Sequence, residues 1–392
     1  MADRAHITPK VLKWARESAR MSEDNAASKI AVSAQSIKEW EKGISYPTIR
    51  QAKILAKIYR RPFAILFLPD IPSDFQPLQD FRKKGSRELS TSSVFIIREI
   101  QQKQAWISDV IKENGENKVP VIGRFSINDN PELVAKDILR TLNIDPLSYK
   151  TNNPILEWID SAESEGIFIS RTSFIHSRLK LDSDEIQGFA IADIYAPFIF
   201  INSDDWSAPL LFTMVHELAH LWIAETGISN EIEPLIKKSD KYHPVELFCN
   251  EVAANALIPR DYVYNLNPDV FDNSTEIYKK AKNIGISSYA LLIRALNLKV
   301  ITIEEYRKLK TQADKEYQNF LLREEERKKK AKEKEGEGGP NYFLLQLNRN
   351  SRLFTQTVLD AFYGGNIEAT QASSLLNVKV NKFPKLEAQM YK

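Results

Sequence analysis

The chain is short of cysteine: Cys249 is the only one in 392 residues, so no internal disulfide can form. It also lacks any apolar run near the roughly 20 residues that a bilayer span needs. Its first residues, MADRAHITPK, contain no apolar signal core. We therefore expect a cytoplasmic protein with no membrane partner.

Neither sign of charge dominates, because the formal net charge is only +2. With 43% hydrophobic and 27% charged residues, the composition is typical of a folded protein, and the length predicts two or three domains. Residues 1–70 nevertheless contain 13 Lys and Arg against 7 Asp and Glu. This local excess suits a polyanionic partner, although many basic domains bind no nucleic acid.

Pattern and composition predict a mainly α fold with a small β-sheet, of the α+β class. They divide the chain into an N-terminal bundle of short helices (1–74), a helical connecting region (75–150), a central α+β domain (151–325), a charged linker (326–340) and a small helical C-terminal unit (341–392). The last segment has the rhythm of a short helix-turn-helix. It could be a packed appendage or an interaction module.

The central domain contains most of the informative patterns. IQGFAIADIYAPFIFIN predicts two strands joined at a turn, and the second strand, FIFIN, is expected at an edge of the sheet. FTMVHELAHLWIAE, from Phe212 to Glu225, predicts an amphipathic helix. HPVELFCNEVAANAL predicts a further helix that ends at Ile258-Pro259, and residues 285–325 are expected to be helical again.

Two histidines and a glutamate in the first of these helices form an HExxH pattern. Residues four apart project from one helix face, so His216 and His220 can hold one zinc ion through their imidazoles. Glu217, at the edge of that face, can take a proton from a water that the metal acidifies. The alternative is that these are polar residues carried by a core helix, but chance HExxH patterns are rare in a chain with five histidines.

A catalytic zinc needs a third protein ligand and an open position. The second helix offers Glu246 and Glu251, two carboxylates in a mostly apolar stretch where an unpaired charge would be costly. Cys249 is a possible soft ligand, although a buried thiol is the simpler role. Zinc rather than manganese or iron is inferred from the ligand types.

Three further residues are weaker candidates for the site. Tyr242 and His243 precede the second helix, where they could stabilise an oxyanion. His176 lies in FIHSRLK, which is expected to be a loop. For all three, a packing or surface role is the competing reading.

The central motifs resemble the ImmA/IrrE family of zinc metallopeptidases. The shared pattern is a strand that ends in Asn202, then Phe212-Thr213, the HExxH pattern, Glu246-Leu-Phe-Cys249-Asn250 and Leu257-Ile258-Pro259. Cys249 stands where the family usually has alanine. The resemblance implies a zincin-like domain with one Zn²⁺ per chain, held by His216, His220 and Glu246, and with Glu217 as the catalytic base. It demotes Glu251 to a variable position.

The N-terminal bundle resembles the lambda-repressor/Cro (XRE) helix-turn-helix class. The resemblance lies in SKIAVSAQSIKEWEKGISYPT, and PLQDFRK looks like the connecting segment of two-domain members. The resemblance implies that Ala34 to Lys42 form the helix that enters the major groove. The expected DNA contacts are Gln35, Ser36, Lys38 and Arg50.

The alternative role for this bundle is dimerisation or protein docking. Glu39 and Glu41 lie on the same helix and would repel phosphates unless they face away from DNA. The two readings of residues 1–74 remain open at this stage.

Together, the resemblances predict a DNA-binding regulatory zinc metalloendopeptidase that cleaves a specific protein such as a repressor. The alternative is a transcriptional repressor, or an antitoxin of a toxin–antitoxin or phage-related system, whose metal site is not catalytic. The expected partners are DNA, a protein substrate or a cognate toxin, and a second copy of the chain in a homodimer.

Overall fold

A computed structural model describes residues 3–82, 85–176, 179–203, 207–230, 232, 242–315, 326 and 341–391. These residues are mostly helical with a small mixed sheet, which confirms the predicted α+β class. Within them, no helix combines the length and apolar character needed to cross a bilayer. The 326–340 linker, apart from Glu326, and residues 316–325 of the predicted helical stretch lie outside the described residues.

The chain folds as two compact units. Unit 1 consists of Met1–Pro77, Arg87–Gln102 and Phe174–Leu181, and unit 2 consists of Leu78–Ser86, Lys103–Ser173 and Asp182–Lys392.

Unit 1 begins with four short helices. They are α1 (Pro9–Ser18), α2 (Glu23–Ile30), α3 (Ala34–Lys42) and α4 (Ile49–Ile58), followed by a 3₁₀ turn at Phe63–Phe67. Their ends follow from capping chemistry: Ser22, Ser33 and Thr48 each accept a backbone N–H at a helix start. Gly43 ends α3 with a φ of +73°, a conformation that glycine adopts without strain.

The long helix α5 spans Thr91–Glu113, and its first part, up to Gln102, belongs to unit 1. A two-stranded antiparallel hairpin of β3 (Phe174–His176) and β4 (Leu179–Lys180) completes the unit. The expectation that His176 lies in a loop is therefore wrong. Its backbone pairs with Leu179, three residues along the chain, because the segment folds back on itself as a hairpin.

Unit 2 is built on a five-stranded mixed sheet in the order β1-β7-β5-β6-β2. The strands are β1 (Gln79–Asp80), β2 (Phe168–Thr172), β5 (Gly188–Ile191), β6 (Phe198–Asn202) and β7 (Gly227–Ser229). β5 pairs antiparallel with β6 and β7, while β6 pairs in parallel with β2, and β7 with β1. The predicted hairpin of β5 and β6 is confirmed.

The prediction that FIFIN forms an edge strand is wrong. β6 lies between β5 and β2, and all five of its residues are buried. A strand that is buried on both faces reads as a continuous apolar run, and such a run does not show which neighbours it pairs with. The two edges of the sheet are β1 and β2.

Unit 2 also contains a series of helices, some of which pack against this sheet. They are α6 (Pro131–Leu142), α7 (Pro154–Ser164), α8 (Ser207–Trp222), α9 (Pro244–Leu257), α10 (Arg260–Tyr264), α11 (Ser274–Asn283), α12 (Ser288–Asn297) and α13 (residues 303–315). Helix α8 is buried on every side from Leu211 to Ile223, so it is a core helix rather than the expected amphipathic one. It ends at Trp222, three residues before the predicted end, and Ala224 then adopts a left-handed φ of 54°.

Four C-terminal helices complete unit 2. They are α14 (Tyr342–Asn350), α15 (Arg352–Tyr363), α16 (Ala369–Leu376) and α17 (Phe383–Met390). Helix α15 ends at the glycines Gly364 and Gly365, as the pattern predicted. Helices α14 and α15 pack against β2, where the Ser170 hydroxyl donates to the Arg349 carbonyl at 2.5 Å.

Candidate metal centre and helix-turn-helix surface

Helices α8 and α9 bring the predicted ligands together. α8 packs against α9 and the sheet, so the face that carries His216 and His220 is directed into the core and not toward solvent. α9 begins at Pro244, whose missing N–H costs nothing at a first helical position, and His243 Nδ1 accepts the Val245 N–H at 3.3 Å. This start places Glu246 in the first turn of α9, facing α8.

Three donor atoms meet at close range in this core. His216 Nε2 and His220 Nε2 lie 3.0 Å apart, and the Glu246 carboxylate oxygens lie 3.3 and 3.1 Å from them respectively. Donor atoms arranged tetrahedrally around one zinc at its usual bond lengths lie roughly 3.3 Å apart. The observed spacing therefore fits a single ion, and this trio could bind a metal.

Neighbouring side chains orient two of these donors. His216 Nδ1 lies 3.0 Å from Asn250 Oδ1, which leaves Nε2 directed toward the trio. The Ser229 hydroxyl, at the end of β7, donates to Glu246 at 3.0 Å. The ring of Phe81 stacks on His220 with a centroid distance of 5.5 Å.

The charge states also suit a metal. Burial lowers the pKa of His220, which favours the neutral imidazole that a metal binds. Burial alone would raise the pKa of Glu246, but the adjacent His216 and His220 outweigh it and hold that pKa at about 2. The site thus favours a neutral His220 imidazole and an ionised Glu246 carboxylate.

Glu217 is the unusual member of the cluster. It is fully buried, and neither carboxyl oxygen makes a hydrogen bond of ordinary geometry among the described residues; the nearby Ser229 hydroxyl, which donates to Glu246, offsets part of the pKa shift of Glu217. Burial, reinforced by the charge of Glu246, raises its pKa well above the ordinary value. An orphaned carboxyl in a core is costly and calls for a functional explanation.

The backbone of β5 comes unusually close to Glu217. A Cβ at Gly188 would lie 2.6 Å from Glu217 Oε1 and 3.0 Å from Thr213 Cγ2, so only glycine fits without displacing a neighbour. Sequence reasoning missed Gly188, as well as Ser229 and Phe81. Of these three residues, the sequence drew attention only to Phe81, which lies in PLQDFRK, the stretch that resembles a connecting segment.

The weaker candidates lie apart from the trio or serve other roles. Glu251 is exposed on α9 and is not among the clustered donors. Cys249 is buried, and burial raises the pKa of its thiol, which makes it an inert core residue. His243 is an exposed helix cap whose ring lies 4.8 Å from that of Phe81, and Tyr242 is partly buried beside it.

The N-terminal helices form the predicted helix-turn-helix, and α3 spans Ala34–Lys42 as expected. Gln35, Lys38 and Arg50 are exposed, whereas Ser36 is half-buried and its hydroxyl lies 2.9 Å from that of Ser33. The Gln35 amide donates to Glu39 at 3.2 Å, so Gln35 must leave this bond to reach a base.

The two acidic residues of α3 face in different directions. Glu41 is buried and accepts two hydrogen bonds from the Arg16 guanidinium, at 2.7 and 2.9 Å. It therefore points into the bundle and ties α3 to α1. Glu39 is half-buried and also accepts the Ser45 hydroxyl at 3.3 Å. Glu41 therefore does not face DNA phosphates. Glu39 is the acidic residue of α3 that could still repel them.

Comparison with protein families gives two matches. Residues 162–295 match the peptidase family model described as the IrrE N-terminal-like domain, and residues 12–66 match the model described as helix-turn-helix. The central segment is therefore similar to an IrrE-like peptidase domain and the N-terminal segment to a helix-turn-helix, the combination that the sequence predicted. No curated protein gives a significant match to this chain.

Proposed function

We propose that the chain is a cytoplasmic, DNA-binding regulatory zinc metalloendopeptidase that cleaves one protein or a few, such as a repressor. The observation that carries this proposal is Glu217, a buried carboxyl with no hydrogen-bond partner among the described residues, next along α8 to His216 of a donor group spaced for one ion. Strongly perturbed carboxyls of this kind concentrate at catalytic sites. A purely structural metal centre would not need a carboxyl that is buried without binding the metal, because burying such a group is costly.

The roles follow from the geometry. His216 and His220 would hold the metal through Nε2, and Glu246 through its carboxylate. A zinc ion held there would supply a Lewis acid that polarises the scissile carbonyl and makes water acidic near neutral pH. Glu217 would accept the proton of the water as its oxygen bonds to the carbonyl carbon. It would then deliver that proton to the amide nitrogen as the C–N bond breaks.

The decisive experiment combines metal analysis with Glu217→Gln. Native protein should carry about one zinc per chain, and the variant should keep it, because Glu217 is not a ligand. Labelling of new protein N-termini in cells that express either form should reveal one or a few cleavages that depend on Glu217. Glu251→Gln, an exposed change on α9, is the matched control and should cleave normally. Absence of bound metal, or identical cleavage by Glu217→Gln, would refute the proposal.

We further propose that residues 1–74 bind DNA through α3, as a homodimer on two half-sites. Lys38 and Arg50 are exposed cations, and the removal of Glu41 from the surface favours this role. Lys38→Ala should weaken binding to the promoter DNA of the chain itself and reduce the salt slope by about one. Lys308→Ala, on α13, is the control. Equal binding by a Gln35→Ala/Lys38→Ala variant would count against α3 as the reading helix.

A second candidate is a repressor or antitoxin whose metal is structural. It is favoured by the complete burial of His216, Glu217 and His220, because closed metal sites are typical of structural zinc. It predicts that metal removal lowers the unfolding temperature and abolishes DNA or toxin binding. It also predicts that Glu217→Gln changes no biological readout, which separates it from the peptidase.

A further inference from the structure

The connecting segment Leu78–Arg82 forms the edge strand beside the metal trio. Gln79 and Asp80 pair in parallel with Gly227 and Ile228 of β7, and the Phe81 N–H donates to the Ile228 carbonyl at 3.1 Å. The next residue of β7, Ser229, touches both Glu246 and His220. The strand β1 therefore lies along the edge of the sheet that borders the donor cluster.

Phe81 fills a buried slot between His220, His243 and the backbone of Gly227. Its side chain is 3% exposed and packs against the rings of His220 and His243. On the other side, Gly227 leaves the space open, because a Cβ there would lie 2.2 Å from the Phe81 ring. The slot is therefore bounded by the rings of His220 and His243 and by the backbone of Gly227, and His220 is one of the three donor residues.

The donor residues and Glu217 lie beneath the surface, behind the sheet edge that β1 occupies among the described residues. His216, Glu217 and His220 are fully buried, and Glu246 is 2% exposed. Extended peptides bind proteases and other receptors by adding to a sheet edge, and the β7 edge is already paired with β1. At the opposite edge, β2 packs against α14 and α15.

We propose that Leu78–Arg82 occupies the substrate position of this enzyme in cis, with Phe81 in the specificity slot. The substrate is then an extended stretch of another protein that places an aromatic side chain in the slot. It pairs with β7 after Leu78–Arg82 has left that edge. This inference rests on the proposed peptidase function. Both ends of Leu78–Ser86 are joined through the chain to residues of unit 1. A conformational change in unit 1 therefore pulls on both ends of the segment.

The test uses the full-length zinc-loaded protein and three variants. Phe81→Ala empties the slot, Phe81→Leu keeps an apolar side chain in it, and Gly227→Ala expels the ring by filling the slot from the other side. The first readout is the rate at which an excess of chelator extracts the zinc. Phe81→Ala and Gly227→Ala should lose zinc at least about tenfold faster than wild type, because a buried aromatic contact no longer holds the segment closed. Phe81→Leu should stay near the wild-type rate.

The second readout is binding of a fluorescent peptide with the sequence QPLQDFR, measured by anisotropy. Phe81→Ala should bind this peptide, whereas wild type should not, because its own segment occupies the edge. Phe81→Ala/Gly227→Ala should fail to bind, because the added methyl fills the slot. The same peptide with alanine in place of its phenylalanine should not bind any form.

Controls separate this inference from general destabilisation and from the function on which it rests. Ile277→Ala, a buried truncation in α11, should leave the extraction rate unchanged. If Phe81→Ala loses zinc at the wild-type rate, or binds no peptide while folded and zinc-loaded, the inference is wrong and the peptidase proposal stands. If wild type and Glu217→Gln both lack metal, the peptidase proposal fails as well.

Discussion

We predict that Glu163 makes the stability of unit 2 dependent on pH. It lies at the end of α7, where its carboxyl accepts the Ser351 hydroxyl at 2.5 Å and the Arg352 N–H at 3.1 Å. It therefore caps α15 and joins the C-terminal helices to the central domain. Burial raises the pKa of Glu163 from 4.5 to about 7, and these hydrogen bonds offset only part of the rise.

The sign follows from proton linkage. A carboxyl with a raised folded pKa binds its proton more tightly in the folded state than in the unfolded state. Its contribution to stability is fully present below pH 4.5 and is lost as the pH rises to about 7. The loss amounts to at most about 3 kcal/mol, since Glu163 is only partly buried and solvent screens some of the effect.

Glu163→Gln removes this titration but keeps an oxygen that can accept from Ser351. The variant and wild type should differ little at pH 4.5. At pH 8.5 the variant should be more stable by up to about 3 kcal/mol. Urea unfolding followed by tryptophan fluorescence measures the difference, with Glu165→Gln as an exposed control on the same segment. A Glu163→Gln difference that is constant from pH 4.5 to 8.5 would refute the reasoning.

Three further predictions concern packing around the proposed sites. Gly188→Ala should push the Glu217 carboxyl by about 0.8 Å, because the new Cβ needs an ordinary contact of about 3.4 Å. The cleavages detected by N-terminal labelling should then fall about a hundredfold while zinc is retained. Normal cleavage would contradict this. Asn250→Ala should weaken zinc binding about 10- to 100-fold in chelator competition, because His216 loses its orienting partner, whereas Glu251→Gln should not. Glu41→Ala should lower the free energy of unfolding by about 2 kcal/mol, because the buried Arg16 guanidinium loses its two hydrogen bonds to Glu41 and keeps only the Met21 carbonyl and the longer contacts with Glu23 and Glu17; urea unfolding at wild-type stability would show that the pair contributes nothing.

Local chemistry made many of the elements predictable. Ser22, Ser33 and Gly43 mark the ends of α2 and α3 through capping and backbone freedom, which depend only on nearby residues. In the same way, the four-residue spacing of His216 and His220 places them on one helix face whatever the rest of the chain does. Glu246 needed the family resemblance, because its own helix offered Glu251 as an equal alternative.

Contacts between distant segments were not predictable in this way. FIFIN has the same sequence at an edge or in the middle of a sheet, and only its pairing with β2 and β5 makes it interior. Glu41 reads as a surface residue until Arg16, 25 residues away, is found beside it. No local pattern announces that Gly188 must be small, because the reason is the Glu217 carboxyl on another element.

The sequence by itself determined the helix-turn-helix and the helix that carries the HExxH pattern, because each rests on residues within a few turns of one another. It also carried the family likeness, because that pattern, from Asn202 to Pro259, is read along the chain without knowledge of any contact. The tertiary structure alone decided that α8 is buried on every side from Leu211 onward, that Glu217 has no hydrogen-bond partner in the part of the chain that the structure describes, and that Phe81 lies against His220. The physical reason is that burial and pairing depend on which distant segments pack together. That is a property of the whole core and not of any one stretch of chain.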